Sequence, residues 1–263
     1  MTFDDYLEYV TENDSFTIHE SWAQGRTTFG GLSAALLAQR IRSNIDQERN
    51  LRAVNVNFSA PLSIESPVKI KLTKLAQGKS LSQVMAQAIQ NETICTTVLA
   101  TFGKDKSSHI IHNSDELTTE NGRELQNFPY IEGVAPKFIQ HINIQIERGD
   151  LPFSSSKERE LSGWMKFKDG VTKWTDVHVL GLIDVWPPTL LQNYRKPGPS
   201  STANWNVDFI NSVSDLNLTE DASLYYESRL ISAQNGYGQT EARISDKRGK
   251  LLAVSRQLVT SYE

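Results

Sequence analysis

The sequence has little cysteine, no long apolar run and no cluster of positive charge, and each shortage excludes a class of protein. The single cysteine, Cys95, lies in the strand-like run ETICTTVLATF, so a disulfide framework is excluded and a buried, unreactive thiol is expected. No apolar stretch reaches the length of a membrane helix, and the acidic start MTFDDYLEYVTENDS does not fit a signal peptide. We therefore expect a cytoplasmic protein without a membrane span.

The charge balance argues against a nucleic-acid partner. The chain has 27 basic and 31 acidic residues, a formal charge of −4, and no basic stripe interleaved with aromatic residues. His109 and His112 have an H-x-x-H spacing, but no further ligand lies near them in sequence to complete a metal site. We predict neither a metal nor another cofactor.

The pattern that is present alternates strands with two apolar helices. Residues 66–75, SPVKIKLTKL, have the two-residue period of a strand with one buried face. Residues 30–41 are apolar nearly all round, and such a helix in a soluble protein must be surrounded by other elements. This pattern predicts an α+β fold in which an antiparallel sheet wraps a central helix.

The same order of elements recurs in the second half. TDVHVLGLIDVW, residues 175–186, is a second apolar helix followed by strand-like runs. The segment Asn55–Phe58 resembles Asn206–Phe209 at an offset of 151, and three residues match at an offset of 156: Gln83, Ala86 and Val98 with Gln239, Ala242 and Val254. The repeat indicates an internal duplication. We predict halves at residues 1–105 and 136–263, joined by a polar linker over 106–135.

Three local segments and the duplication resemble one family. RTTFGGL before the first central helix, LAQGKSLS at 75–82 and GKLLAVSRQ at 249–257 are similar to segments of the double-hotdog acyl-CoA thioesterases of the thioesterase II type. The resemblance implies two antiparallel sheets, each wrapping one helix, and hydrolysis of an acyl-CoA substrate. It also implies that double hotdogs associate further as homo-oligomers. The segment around Asp184, LIDVWPPTLLQ, departs from the commoner family pattern after the aspartate and indicates a divergent subfamily.

The resemblance implies a catalytic set of Asp184, Thr202 and Gln257, which would guide a water molecule to the thioester. For the hydroxyl, Ser200 and Ser201 stay open as alternatives because they adjoin Thr202. The residues alone leave Asp184 two equal roles. It is either a desolvated base or the cap of a new helical turn at Pro187-Pro188.

The glycines at the start of the first apolar helix are candidates for binding the substrate. Gly30 and Gly31 leave the first N–H groups of the helix unobstructed, and these donors could hold the oxyanion of a thioester. The alternative is that the glycines only allow close packing. Two rival functions stay open, a non-catalytic acyl-CoA binding protein and a hotdog hydratase. The hydratase is disfavoured because GGLSAALLAQRIR has no carboxylate or His, and LIDVWPPTLLQNY has an Asp without a following His.

Overall fold

A computed structural model describes residues 1–112, 117 and 124–261 of the chain. The helices are α1 (Phe3–Glu12), α2 (Gly30–Arg42) and α3 (Asp176–Ile183). The strands are β1 (Ser15–Phe16), β2 (Ala23–Gln24), β3 (Thr27–Thr28), β4 (Asn50–Phe58), β5 (Val68–Gln77), β6 (Leu81–Gln90), β7 (Thr93–Gly103), β8 (Gln126–Asn127), β9 (Ile142–Arg148), β10 (Glu160–Phe167), β11 (Ser200–Phe209), β12 (Leu224–Gln234), β13 (Tyr237–Ser245) and β14 (Leu251–Ser261). Short 3₁₀ helices cover Glu20–Trp22, Lys137–His141, Thr189–Asn193 and Val213–Asp215.

Twelve of these strands form one antiparallel sheet in the order β1-β5-β6-β7-β4-β11-β14-β13-β12-β10-β9-β8, while β2 and β3 form a separate ribbon. Each half therefore contributes its own antiparallel set, and the pairing of β4 with β11 joins the two sets edge to edge. The joint satisfies the backbone groups of two strands that would otherwise be exposed edges.

The two central helices lie against this sheet and against each other. Every residue of α2 from Gly31 to Ala38 is buried, as are all residues of α3 after Asp176. One apolar core contains residues of both helices and of strands from both halves. The predicted α+β architecture with two enclosed apolar helices is confirmed, although α3 ends at Ile183 rather than near 186. Among the described residues, no helix is long and apolar enough to cross a membrane.

The joint between β4 and β11 shows the internal duplication in atomic detail. Asn55 lies directly opposite Asn206, its counterpart at the predicted offset of 151. The Nδ2 of Asn206 donates to the Oδ1 of Asn55 at 3.1 Å, and Asn204 donates in the same way to Asn57 at 2.9 Å. A pair of equivalent residues facing each other is the mark of a two-fold axis. The two halves are therefore related by a pseudo-two-fold axis through this joint.

The strand register corrects one of the sequence matches. Ala86 pairs with Val98 in the first half, while its counterpart Ala242 pairs with Ser255 in the second. The partner of Val98 in the duplication is thus Ser255 rather than Val254, so the offset on this strand is 157. Val98 and Ser255 are both buried, whereas Val254 is not. The predicted match of Val98 with Val254 is therefore wrong by one residue. Because side chains alternate between the two faces of a strand, Val254 and Val98 lie on opposite faces.

The predicted linker contributes to the sheet of the second half. Gln126 and Asn127 form β8 and pair with Ile146 and Gln145 of β9. Leu117 is buried and its N–H donates to the carbonyl of Gly249 at 2.9 Å. Residues 113–116 and 118–123 of this segment lie outside the described residues.

A close contact between α1 and α3 gives a test of the core. A Cβ added to Gly181 would lie 2.4 Å from the Cζ of Phe3, so Gly181→Ala should lower the free energy of unfolding by about 1–3 kcal/mol. This sign opposes the gain of about 1 kcal/mol that alanine brings to an ordinary helix position. Urea denaturation measures the change.

The matched control is Gly78→Ala, because a Cβ there would meet only the carbonyl oxygen of Leu81 at 3.7 Å. We expect the control to change the free energy of unfolding by less than about 0.5 kcal/mol. A stabilised Gly181→Ala protein would contradict the contact.

Candidate active site

Asp184 is the residue that directly follows α3; the residue is partly buried, and its carboxyl group is desolvated by the surrounding protein. Burial raises its pKa to about 7, although hydrogen bonds from Gln257 and from the backbone of Gly31 act to lower the pKa. The alternative role as the N-cap of a new turn at Pro187-Pro188 is not realised: Asp184 is the C-cap residue of α3, and the following 3₁₀ helix begins at Thr189 with Pro188 at its N-cap position. The pKa of about 7 means that the Asp184 carboxyl group is partly protonated near neutral pH.

Gln257 is brought to Asp184 from β14, 73 residues away in sequence. Its Nε2 donates to the Oδ1 of Asp184 at 2.9 Å. The glutamine points to the inner face, since the neighbours of the same parity, Ser255 and Val259, are both buried. Two of the three residues implied by the resemblance are thus in direct contact.

Thr202 shares the face of Gln257 because of a β-bulge. Thr202 pairs with Val259 and Trp205 pairs with Gln257, and the register of β11 against β14 shifts between Thr202 and Asn204. A bulge reverses the alternation of side chains for one residue, so Thr202 and Trp205 both face inward although three positions separate them. Among the described hydrogen bonds, the Thr202 hydroxyl makes none with Asp184 or Gln257.

The two serines before Thr202 differ in exposure. Ser200 and Ser201 are exposed, whereas Thr202 is partly buried. Ser201 directs its hydroxyl toward the carbonyl of Thr202, at 3.5 Å. Position and burial favour Thr202 as the residue nearest the interior.

Gly30 and Gly31 begin α2 beside the carboxyl group of Asp184. A Cβ on Gly30 would lie 2.7 Å from Asp184 Oδ2, and a Cβ on Gly31 would lie 2.5 Å from the carbonyl oxygen of Gly181 and 2.4 Å from the Phe29 ring. The N–H of Gly31 donates to Asp184. Gly31 therefore serves close helix packing and holds the carboxylate, whereas the N–H of Gly30, in the first turn, has no acceptor within the helix.

An aromatic group beside the carboxylate was not found by sequence reasoning. The ring of Tyr226 stacks on Trp186 at 5.0 Å between centroids. Burial, together with the negative charge of Asp184, raises the pKa of the Tyr226 hydroxyl. Trp186 donates its indole N–H to the sulfur of Met165 at 3.1 Å. The only available signal was that Trp186 is two residues after Asp184.

The duplication places apolar residues at the corresponding positions of the first half. The register of β4 against β7 has the same bulge, between Leu51 and Ala53, so Leu51 corresponds to Thr202. The offset of 157 on the last strand makes Ala100 the counterpart of Gln257. The polar set therefore occurs at one end of the helix pair. Within residues 1–112, 117 and 124–261, no cluster of His, Cys, Asp and Glu could hold a metal ion.

Comparison with family models identifies the class to which this fold and site belong. The chain matches the acyl-CoA thioesterase N-terminal domain over residues 18–103 and the C-terminal domain over residues 115–261. It therefore belongs to the acyl-CoA thioesterase family, as the sequence segments predicted. A search of curated proteins returned no match.

Solved structures with the same fold cover nearly the whole chain. A conserved protein of unknown function with a hot dog fold from Alicyclobacillus acidocaldarius has 19% identity, a TM-score of 0.84 and 98% coverage of both chains. A putative thioesterase II from Thermobifida fusca YX has 16% identity and a TM-score of 0.78, with 98% of this chain and 97% of that chain covered. A tesB protein from Mycobacterium avium subs paratuberculosis has 14% identity, a TM-score of 0.76 and full coverage of both chains. The predicted double-hotdog fold is confirmed.

The raised pKa of Asp184 predicts how stability depends on pH. The folded protein retains a proton on Asp184 up to about pH 7, whereas the unfolded chain loses it near 3.8. The folded state therefore binds more protons between these values, and Asp184 makes stability fall as the pH rises through that window. We expect Asp184→Asn to gain stability relative to the parent, by up to a few kcal/mol, as the pH rises from about 5 to 8.

Urea denaturation of both proteins over that pH range measures the difference. Asp246→Asn, at a buried aspartate in the turn between β13 and β14, controls for the general effect of removing a carboxylate. A stability difference between Asp184→Asn and the parent that does not change with pH would contradict the raised pKa.

Proposed function

We propose that the protein hydrolyses an acyl-CoA thioester to a free acid and CoA, with Asp184 as the general base. The observation that carries the proposal is a desolvated carboxyl group with a pKa of about 7, hydrogen-bonded to Gln257 and adjoining the start of α2. A base with a pKa near the working pH combines a deprotonated fraction with enough basicity to accept a proton from water.

In the proposed reaction, Asp184 takes a proton from water as the water oxygen attacks the thioester carbonyl carbon. The C–O bond forms and the carbonyl π electrons move to the oxygen, giving a tetrahedral oxyanion. The oxyanion then collapses and the C–S bond breaks. The CoA sulfur takes the proton from Asp184, and CoA leaves as the thiol. Gln257 would fix the carboxylate, and the Thr202 hydroxyl would orient the water from the same inner face.

Donors at the start of α2 would stabilise the oxyanion. Negative charge is favoured at a helix N-terminus, and Gly30 presents an N–H there without a side chain to obstruct the substrate. Gly31 contributes indirectly, because its N–H holds Asp184.

The further association into homo-oligomers and the domain boundaries at 105 and 136 stay predictions.

The pH dependence of turnover tests the role of Asp184 and Gln257. We expect kcat to rise with pH through about 7, because only the deprotonated carboxylate accepts a proton. Gln257→Ala removes a hydrogen bond that lowers the pKa of Asp184, so its rising limb should move to higher pH. Release of CoA thiol from acyl-CoAs of graded chain length gives the profile.

The matched control for this profile is Gln239→Ala, an exposed glutamine on β13, whose limb should coincide with that of the parent. If the rising limb of the pH profile for Gln257→Ala coincides with that of the parent, Gln257 does not belong to the proposed site.

The coupling between Asp184 and Gln257 is tested by combining substitutions. Asp184→Asn should lower kcat by about 100-fold to 10,000-fold, as loss of a general base does. The double variant Asp184→Asn, Gln257→Ala should be little slower than the worse single variant, because residues that act as one unit give non-additive losses.

Melting temperature and affinity for a non-hydrolysable acyl-CoA analogue are measured for each of these variants. An Asp184→Asn protein that stays folded and hydrolyses at the parental rate would refute the mechanism. A parent that binds acyl-CoA tightly but releases no thiol would support the non-catalytic binding function.

A further inference from the structure

The duplication places an aspartate where the candidate site has Gly30. Gly30 is the first residue of α2, after the cap position Phe29, and Asp176 is the first residue of α3, after the cap position Thr175. The two residues therefore occupy corresponding places at the starts of the paired helices. The second half thus carries a carboxylate at a point where the first half carries no side chain.

The Asp176 carboxylate is held by backbone N–H groups from two segments. Its Oδ2 accepts from the N–H of Leu51 at 3.3 Å, and the carboxylate also accepts from the N–H of Val213. Burial raises the pKa of Asp176, while these two N–H groups and the charge of Arg42 lower it. The fold therefore binds a carboxylate oxygen in a cup formed by two peptide N–H groups and the start of a helix.

Both N–H groups have counterparts at the candidate active site. Leu51 corresponds to Thr202, because each is the inward residue before an equivalent bulge. Val213 corresponds to Leu62 at the same offset of 151, and both are buried. The cup beside Gly30 would therefore be formed by the N–H groups of Thr202 and Leu62.

The backbone between these positions follows the same course in both halves. Ser59 and Ala60 both donate to the carbonyl of Cys95, and Ile210 and Asn211 both donate to the carbonyl of Leu252. Cys95 and Leu252 correspond at the offset of 157 that the strand pairing gives. The correspondence thus extends past the ends of β4 and β11 toward Leu62 and Val213.

We infer that the peptide N–H groups of Thr202 and Leu62 bind the thioester carbonyl oxygen and the oxyanion that forms from it. In this role Asp176 is an internal counterpart of the bound oxygen. A Cβ on Gly30 would lie 2.7 Å from Asp184 Oδ2, so the absence of a side chain at Gly30 leaves the carboxylate next to the bound thioester. The inference rests on the proposed function and adds two donors to those of α2. The charge that these donors stabilise is the one created when the water oxygen attacks the carbonyl carbon.

Replacing one peptide bond by an ester tests the Thr202 donor directly. Introducing the α-hydroxy acid analogue of threonine at position 202 by nonsense suppression removes the N–H and keeps the hydroxyl. We expect kcat to fall by about 100-fold, as for the loss of one oxyanion donor, with KM changed by much less. The same replacement at Leu51, its counterpart in the other half, should lower the melting temperature and leave kcat near the parental value.

Equal losses of kcat for the two esters, or no loss at position 202, would overturn the inference. A parent that hydrolyses no acyl-CoA would instead refute the proposed function, and the cup then needs a measurement that does not depend on turnover.

Rescue by a small carboxylate provides that measurement. Asp176→Gly reproduces Gly30 and leaves the N–H groups of Leu51 and Val213 without their acceptor, so acetate should bind and raise its melting temperature by about 2 °C or more over an equal concentration of chloride. Asp176→Asn keeps an acceptor oxygen and should show no such rise. A folded Asp176→Gly protein that does not respond to acetate would overturn the inference that these N–H groups bind an oxygen ligand. If that variant does not fold, the ester variants at positions 202 and 51 decide whether the inference holds.

Discussion

The Asp184 carboxylate, enclosed between the end of α3 and the start of α2, is the constraint around which the site is built. A buried carboxylate is costly unless hydrogen bonds compensate its lost hydration. Here the compensation comes from the Gln257 amide in the second half and from the N–H of Gly31 in the first. The balance leaves the pKa near 7, which is the range that a general base requires. Both halves are therefore needed to hold one group.

Close packing of the two central helices provides this arrangement. Gly31 lies against the carbonyl of Gly181, and Gly181 lies under the ring of Phe3. A side chain at Gly31 would push α2 away from α3 and move the Gly31 N–H from Asp184, whereas a side chain at Gly181 would displace Phe3 of α1. The N-terminal helix α1 is fastened to the same region by a hydrogen bond of 2.7 Å between the Asp4 carboxylate and the Nε2 of His178. Packing and electrostatics thus act on the same few atoms.

Duplication explains why the polar set of Asp184, Thr202 and Gln257 occurs once, and not twice, among the described residues. The bulges at Leu51 and Thr202 show that both halves kept the same backbone. Leu51 and Ala100 nevertheless provide only apolar side chains at one end, and Asp176 provides a carboxylate held by backbone N–H groups. Once the halves are joined in one chain, each can change independently. One end then has the polar set, while the other has apolar side chains and a carboxylate held by the backbone.

Much of this architecture can be predicted from sequence, because an apolar helix such as 30–41 must be enclosed and alternating strands must enclose it. The repeat at Asn55 and Asn206 is also visible in the sequence, and the structure places these residues face to face. The register of the last strand is harder to predict from sequence, since a shift of one residue changes the face of every side chain. The sequence match paired Val98 with Val254, whereas its structural counterpart is Ser255. The bulge beside Thr202 and the stack of Tyr226 on Trp186 depend on long-range packing, which no local pattern encodes.

In the proposed mechanism, Asp184 activates water and does not itself attack the thioester. A single turnover in oxygen-18 water, with less acyl-CoA than protein, tests it most directly by mass spectrometry of the released acid. Water attack predicts that the first acid released carries one oxygen-18 atom and that no label enters Asp184. An unlabelled first product, with oxygen-18 later found on Asp184, would show that the carboxylate was the nucleophile and would rule out Asp184 as the base that activates water.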